Sequence, residues 1–179
     1  MQIDAFRSAL GAGGTRPNQY RVTLNFPSLV GGGTQADSIL VSAAALPASN
    51  VNPTVVQYRG REVKFAGERV FDPWTISIMN DSAMKLRGKF EEWSNLMNIR
   101  LNNGGVLQPA AYQVDMTVEQ LDRNDTSIRT YTIHNAFPIN VSEISLGYGQ
   151  NDVISEFTVT FQYSHFQIES SAIPQLTLV

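Results

Sequence analysis

Strict alternation of apolar and polar residues, returning along most of the chain, is what most narrows the folds open to this sequence. Phe157, Val159, Phe161 and Tyr163 alternate with Glu156, Thr158, Thr160 and Gln162. Val114, Met116 and Val118 alternate with Gln113, Asp115, Thr117 and Glu119, and Tyr131 and Ile133 with Thr130, Thr132 and His134. Near the start, Tyr20, Val22, Leu24 and Phe26 alternate with Arg21, Thr23 and Asn25. A strand repeats its side-chain direction every two residues, so each run offers one face to a core and one to solvent or a partner. Half-buried strands of this kind belong to antiparallel sheets, because strands covered on both faces read as unbroken apolar runs.

One stretch departs from that rhythm. After the Asp72-Pro73 break, Trp74, Ile76 and Ile78 alternate with Thr75, Ser77 and Met79, and then the spacing changes. Leu86, Phe90, Trp93, Met97 and Leu101 recur every three or four residues, while Lys85, Lys89, Glu92 and Asn95 lie off that face. With Asp81 as N-cap and Asn102-Asn103-Gly104-Gly105 as the stop, this predicts one amphipathic helix over about residues 81–102. Trp74, Phe90 and Trp93 are assigned to the core, the usual place for aromatics at such positions. A single helix without a βαβ rhythm predicts a mainly β fold: an antiparallel sandwich or barrel with one helix packed on it. At 179 residues the expectation is one domain spanning 1–179.

Elsewhere, Asp37 to Ala44 reads as the second strand, with Pro27 to Gln35 as the loop before it. Ile3, Phe6 and Leu10 suggest a short helical turn, and Gly11 to Gly14 and Gly31 to Gly33 read as flexible connections. Residues 54–65 read as a hairpin turning near Arg59-Gly60. This hairpin carries Arg59, Arg61, Lys64 and Arg69 against only Glu62 and Glu68. An isolated two-stranded arm is marginal in water, so either its own domain covers it or it reaches a neighbouring subunit.

Composition removes most chemistry. The chain has no cysteine, which excludes a disulfide framework, a thiol nucleophile and a thiolate metal site. His134 and His165 are its only histidines, and no Gly-x-Ser-x-Gly elbow or metal-ligand spacing accompanies them. Asp122, Asn124, Asp125 and Thr126 lack the glycine and closing glutamate of a calcium loop, so a solvated turn is the reading. The glycine runs lack the Lys-Ser/Thr of a phosphate loop. Uncharged stretches such as Val22 to Ala36 are broken by Pro and Gly and are not membrane helices, and Asp4 without an apolar run argues against a signal peptide. Residues 1–100 hold 11 basic and 8 acidic residues, and residues 101–179 hold 2 and 8, so the halves carry +3 and −6. The second half therefore does not have the balance of a nucleic-acid binder.

The order Ala66-Gly-Glu-Arg69, then Phe71-Asp-Pro-Trp-Thr-Ile76, then Met79-Asn-Asp81 ahead of the helix with Phe90 and Trp93, resembles the tail tube proteins of contractile-tailed bacteriophages. Arg16-Pro-Asn-Gln-Tyr20, Ala44-Ala-Leu-Pro-Ala48 and the Tyr58–Phe65 hairpin are similar to that family too. The resemblance is strongest over residues 44–93 and looser beyond about 105. It implies a structural protein, not an enzyme and without cofactor. Six copies would form a ring, and rings would stack into a hollow tube that conducts DNA on ejection without binding it specifically. The implied partners are further copies, the sheath and tape-measure proteins, and baseplate and terminator proteins, in a virion tail assembled in the host cytoplasm, with no membrane. The hairpin residues Tyr58, Arg59, Arg61, Glu62 and Lys64 would contact the next ring. The rows Gln113/Asp115/Thr117/Glu119 and Glu156/Thr158/Thr160/Gln162 are lumen candidates, with bulk solvent outside the tube as the other assignment. A tube protein of a type VI secretion system or phage-like injection particle, and a monomeric ligand-binding β-barrel, are the alternatives. Arg16-Pro-Asn and Phe71-Asp-Pro-Trp74 favour the phage family.

Overall fold

The computed structural model describes residues 3–11 and 14–170. Its elements are α1 (Ile3–Leu10), β1 (Tyr20–Thr23), α2 (Gln35–Ile39), β2 (Val41–Ala44), β3 (Ser49–Tyr58), β4 (Arg61–Phe71), β5 (Trp74–Met79), α3 (Lys85–Met97), β6 (Val114–Leu121), β7 (Ser127–Val141), β8 (Glu156–Gln162) and β9 (His165–Ser170). Short 3₁₀ turns occupy Ser28–Val30 and Pro109–Ala111. Every strand pairing is antiparallel, as the alternation requires. The fold is mainly β.

β7 organises the sheet. On one side it pairs β6 through Ser127–Ala136; on the other its first half pairs β9 and its second half, from Phe137, pairs β8. Asn135, at φ 57°, and a register shift between Pro138 and Asn140 mark where the strand passes from one part of the sheet to the other. Asn is among the few non-glycine residues at ease in that left-handed region. The strands run β1-β6-β7-β8-β5-β2, with β9 beside β7. Val22, Met116, Val118, Tyr131 and Ile133 from one part face the same core as Val41, Trp74, Ile76, Ile78, Phe157, Val159 and Phe161 from the other.

α3 fills that core with Leu86, Phe90 and Trp93. Phe90 is fully buried, its ring 4.9 Å from Phe26, 6.2 Å from Phe157 and 6.0 Å from Phe161. The buried indoles donate to backbone carbonyls: Trp93 Nε1 to Tyr112 at 2.8 Å and Trp74 Nε1 to Ala45 at 2.6 Å. Each N–H thereby keeps the hydrogen bond it would otherwise lose on leaving water.

Several boundaries differ from the sequence expectation. The helix begins at Lys85 because the chain first turns through Met84 (φ 51°), whose N–H bonds to the Asp81 carbonyl; Asp81 is not the N-cap. It ends at Met97, and Leu101 is 97% exposed in the following turn, not on the buried face. Asp37–Ile39 is helical, and strand structure begins only at Val41. A capping box explains this: Thr34 Oγ1 accepts the Asp37 N–H, and the Asp37 carboxylate accepts the Thr34 N–H. The loop after Pro27 contains the Ser28–Val30 turn. Gly33 there is not slack: a Cβ would lie 2.2 Å from the Leu24 carbonyl oxygen, so only glycine lets the loop pass so close to β1. Of the Gly11–Gly14 connection, residues 12–13 lie outside the described residues, as does 171–179 of the C-terminal stretch.

Candidate assembly surface

β3 and β4 form their own two-stranded sheet. The ten residues of β3 extend it roughly 33 Å. At the tip, Arg59 (φ 48°) and Gly60 (φ 79°) both take positive φ, the backbone of a type I′ turn, whose twist suits a two-residue hairpin. The hairpin is longer than the predicted 54–65, and from Asn50 to Val70 only Gly67 is even half-buried. Val51, Val55, Val56, Tyr58, Val63, Phe65 and Val70 are all large, apolar and exposed. Phe71 anchors the base, its ring 5.9 Å from Tyr163 and 5.5 Å from Phe166. Beyond that anchor the arm leaves the body.

Tyr58, Arg59, Arg61, Glu62 and Lys64 are gathered at or near the tip, all exposed. The Arg59 guanidinium lies over the Tyr58 ring at 5.4 Å, and Gln57 Nε2 donates to Glu62 Oε1 at 3.1 Å. None of Arg59, Arg61, Lys64 or Arg69 is in an ion pair among the described residues.

The sheet has open margins as well. The Gln19 carbonyl accepts the Leu121 N–H, so Arg21 and Thr23 turn their backbone groups to β6, and Tyr20 and Val22 turn theirs to the free side. Among the described residues, side-chain bonds alone bridge from β1 and the adjoining Leu24 to β2 and α2: Tyr20 Oη to the Val41 carbonyl at 3.1 Å and the Leu24 N–H to Ser38 Oγ at 3.0 Å. A cleft of about 920 Å³ opens along this edge. The loop between β7 and β8 carries further unburied apolar residues, Leu146, Tyr148, Val153 and Ile154. No sequence signal separated these from core residues, because the loop has no periodicity.

The two polar rows occupy the sheet face turned from the core. Asp115, Thr117 and Glu119 lie on β6, with half-buried Gln113 just before the strand; Glu156, Thr158, Thr160 and Gln162 lie on β8, so β7 runs between the rows. Glu119 accepts from Thr130 Oγ1 at 3.2 Å and from Arg21 at 3.4 Å, and Thr160 bonds Thr75 at 3.0 Å.

His134 and His165, distant in sequence, stack with ring centroids 4.8 Å apart where β7 meets β9. His134 Nδ1 bonds Asp115 Oδ2 at 2.8 Å. Burial pushes the Asp115 carboxyl up, but the Asn135 N–H, the His134 bond and the charges of both histidines outweigh it and hold the carboxyl below the usual range. His134 Nε2 has no hydrogen-bond partner among the described residues, so no hydroxyl completes a triad with this pair.

An exposed arm and open sheet margins are the features of a subunit built to join others. The family model for phage tail tube proteins matches residues 15–169, and the chain belongs to that family of structural, non-enzymatic tail components. It is 30% identical over 169 residues to the tail tube protein gp19 of Enterobacteria phage T4, covering 93% of this chain and all of the relative. It is 28% identical over 165 residues to the tail tube protein of Serratia phage KSP90, covering 90% and 93%. In fold it is similar to a chain of the PVC extracellular contractile injection system sheath/tube terminator (TM-score 0.64, 12% identity, 85% and 94% covered). A chain of the anti-feeding prophage baseplate is similar too (TM-score 0.62, 11% identity, 87% and 95% covered).

Proposed function

We propose that six copies of this chain close into a ring by joining their sheet margins, and that rings stack into a hollow tube through which DNA passes during ejection. Closure would satisfy the outward backbone groups of β1, which an isolated subunit leaves to water. The β3–β4 arm is the single observation that carries the reading: an extended, apolar and cationic hairpin has no covering within its own subunit. Buried apolar area on the arm supplies cohesion between rings, and Arg59, Arg61 and Lys64 set the stacking register against acidic groups of the next copy. Tyr58 and Glu62 share that contact.

The β6 and β8 polar rows are the lumen candidates. Their threonines and carboxylates offer DNA no cationic phosphate contact, so the polymer slides without adhering. The tube is passive, a wall around a tape-measure protein and inside a sheath, capped by baseplate and terminator proteins and assembled in the host cytoplasm.

Deletion of Val56 through Lys64 tests the arm. The shortened protein is expected to keep its circular dichroism spectrum and melting temperature and to stay monomeric at concentrations where the intact chain forms hollow rings or filaments in electron micrographs. Normal tubes from the deletion variant would overturn the arm assignment.

A further inference from the structure

α1 buries none of its residues against the described body of its own subunit. Ile3, Phe6 and Leu10 fall in one arc of its circumference, with Ala9 beside them and Arg7 at the border. Yet no residue of the helix is buried, and Ile3 and Phe6 are each 67% exposed. Isolated helices shorter than about 12–15 residues are marginal in water. An eight-residue amphipathic helix therefore needs a surface to lie on.

A matching surface exists at the far end of α3. The Ser28–Val30 turn and the last turns of α3 enclose a groove of about 460 Å³, lined by Leu29, Val30, Leu96, Ile99 and Val106 and flanked by Glu92. Leu29 is 64% exposed, and Leu107, next to Val106, is 96% exposed. Neither Glu92 nor Arg7 is in an ion pair among the described residues.

We infer that α1 of one copy seats in this groove of a second copy, with Ile3, Phe6 and Leu10 on the apolar floor and Arg7 against Glu92. The inference rests on the self-assembly proposed above. The subunit's own groove is poorly placed for its own helix. Arg16 and Gln19 are pinned at the start of β1, where Gln120 Nε2 donates to both of their carbonyls at 2.9 and 2.7 Å. Six Cα steps separate Leu10 from Arg16, at most about 22 Å of extended chain, and the Gly14 N–H bond to the Leu10 carbonyl at 3.0 Å shortens that reach. The path back along β1 from Gln19 to Phe26 is roughly 23 Å, and the groove lies beyond it. That path also follows the margin that ring closure would occupy.

The absence of native cysteine makes a direct test possible. Phe6→Cys and Leu29→Cys, both at exposed positions, are prepared as separate proteins, mixed under assembling conditions and oxidised. A disulfide requires the two Cα atoms to come within about 7 Å. The expected result is a mixed disulfide in excess of either homodimer on non-reducing gels, lowered several-fold by Arg7→Glu in the first protein and restored by Glu92→Arg in the second. Tubes in electron micrographs without the mixed disulfide overturn the helix exchange and leave the assembly reading standing. A Phe6→Cys/Leu29→Cys double variant that links only within one chain also overturns it, assigning the groove to the subunit's own helix. Absence of both tubes and disulfide overturns both readings.

Discussion

Asp37 has a nearly buried carboxylate that does three jobs: it caps α2 through the Thr34 N–H, accepts from Thr34 Oγ1 and pairs with Lys89 Nζ at 2.7 Å, tying α2 to α3. Burial alone would push its carboxyl up, but the Lys89 bond, the Thr34 bonds and the Lys89 charge prevail and hold it below the ordinary range. Asp115 is depressed as well, by its Asn135 and His134 bonds and the histidine charges, against its own burial. A depressed folded-state pKa contributes stability that is present above the unfolded value, about 3.9, and is lost as pH falls through the folded one. Asp37→Asn should cost roughly 1–3 kcal/mol at pH 7, because Lys89 loses its anion, and much less near pH 2. Urea midpoints across that range check it; a deficit equally large at both ends would show that the ion pair is not the cause. Nothing in the spacing of Asp37 and Lys89 announced their pairing. The Thr34-x-x-Asp37 capping signal was readable, and it outweighs the strand reading of Asp37–Ile39.

α3 and the β3–β4 arm are opposite cases at the scale of elements. Phe90 touches aromatic rings from three parts of the chain, so its removal leaves a cavity no single neighbour can fill. Phe90→Ala should lower stability by about 3–5 kcal/mol, read as a fall in denaturant midpoint with little change in slope. If the cost were under about 1 kcal/mol, the Phe26–Phe90–Phe157–Phe161 cluster would not be the keystone described. Spacing disclosed the buried face of α3 because Leu86, Phe90 and Trp93 obey a 3.6-residue period. It overshot at Leu101, where a periodic coincidence continued after the hydrogen-bonded helix had ended. The arm was legible as strand formers around a turn, but its full reach to Ser49 and Phe71 was not: Pro and Gly are poor strand residues, yet the pairing absorbs Pro53 and Gly67 at an irregularity between Val51 and Pro53.

At the scale of the whole molecule, one core is complete while the β3–β4 arm, the β1 margin and α1 stay uncovered by the described residues. A net charge of −3 per copy opposes association, and the cationic arm offsets that opposition locally. Arg59→Glu/Arg61→Glu should therefore leave monomer stability within about 0.5 kcal/mol of wild type, since both residues are exposed. It should also slow assembly and weaken its dependence on salt, which screens exposed charges beyond about 10 Å at 0.1 M. Sedimentation and light scattering across salt concentrations make the comparison, and unchanged kinetics would remove the arginines from the assembly contact.

The sequence by itself determined the strand faces, the antiparallel class, the presence of one core helix and the absence of thiol chemistry. Each of these follows from side-chain periodicity or residue identity within a short window. Only the tertiary structure decided that β7 serves two parts of the sheet, that His134 lies on His165, and that the hairpin stands clear of the body. Those facts depend on pairings between segments tens of residues apart. A local pattern can say that a face must be covered; what covers it is fixed by the rest of the fold or by another molecule.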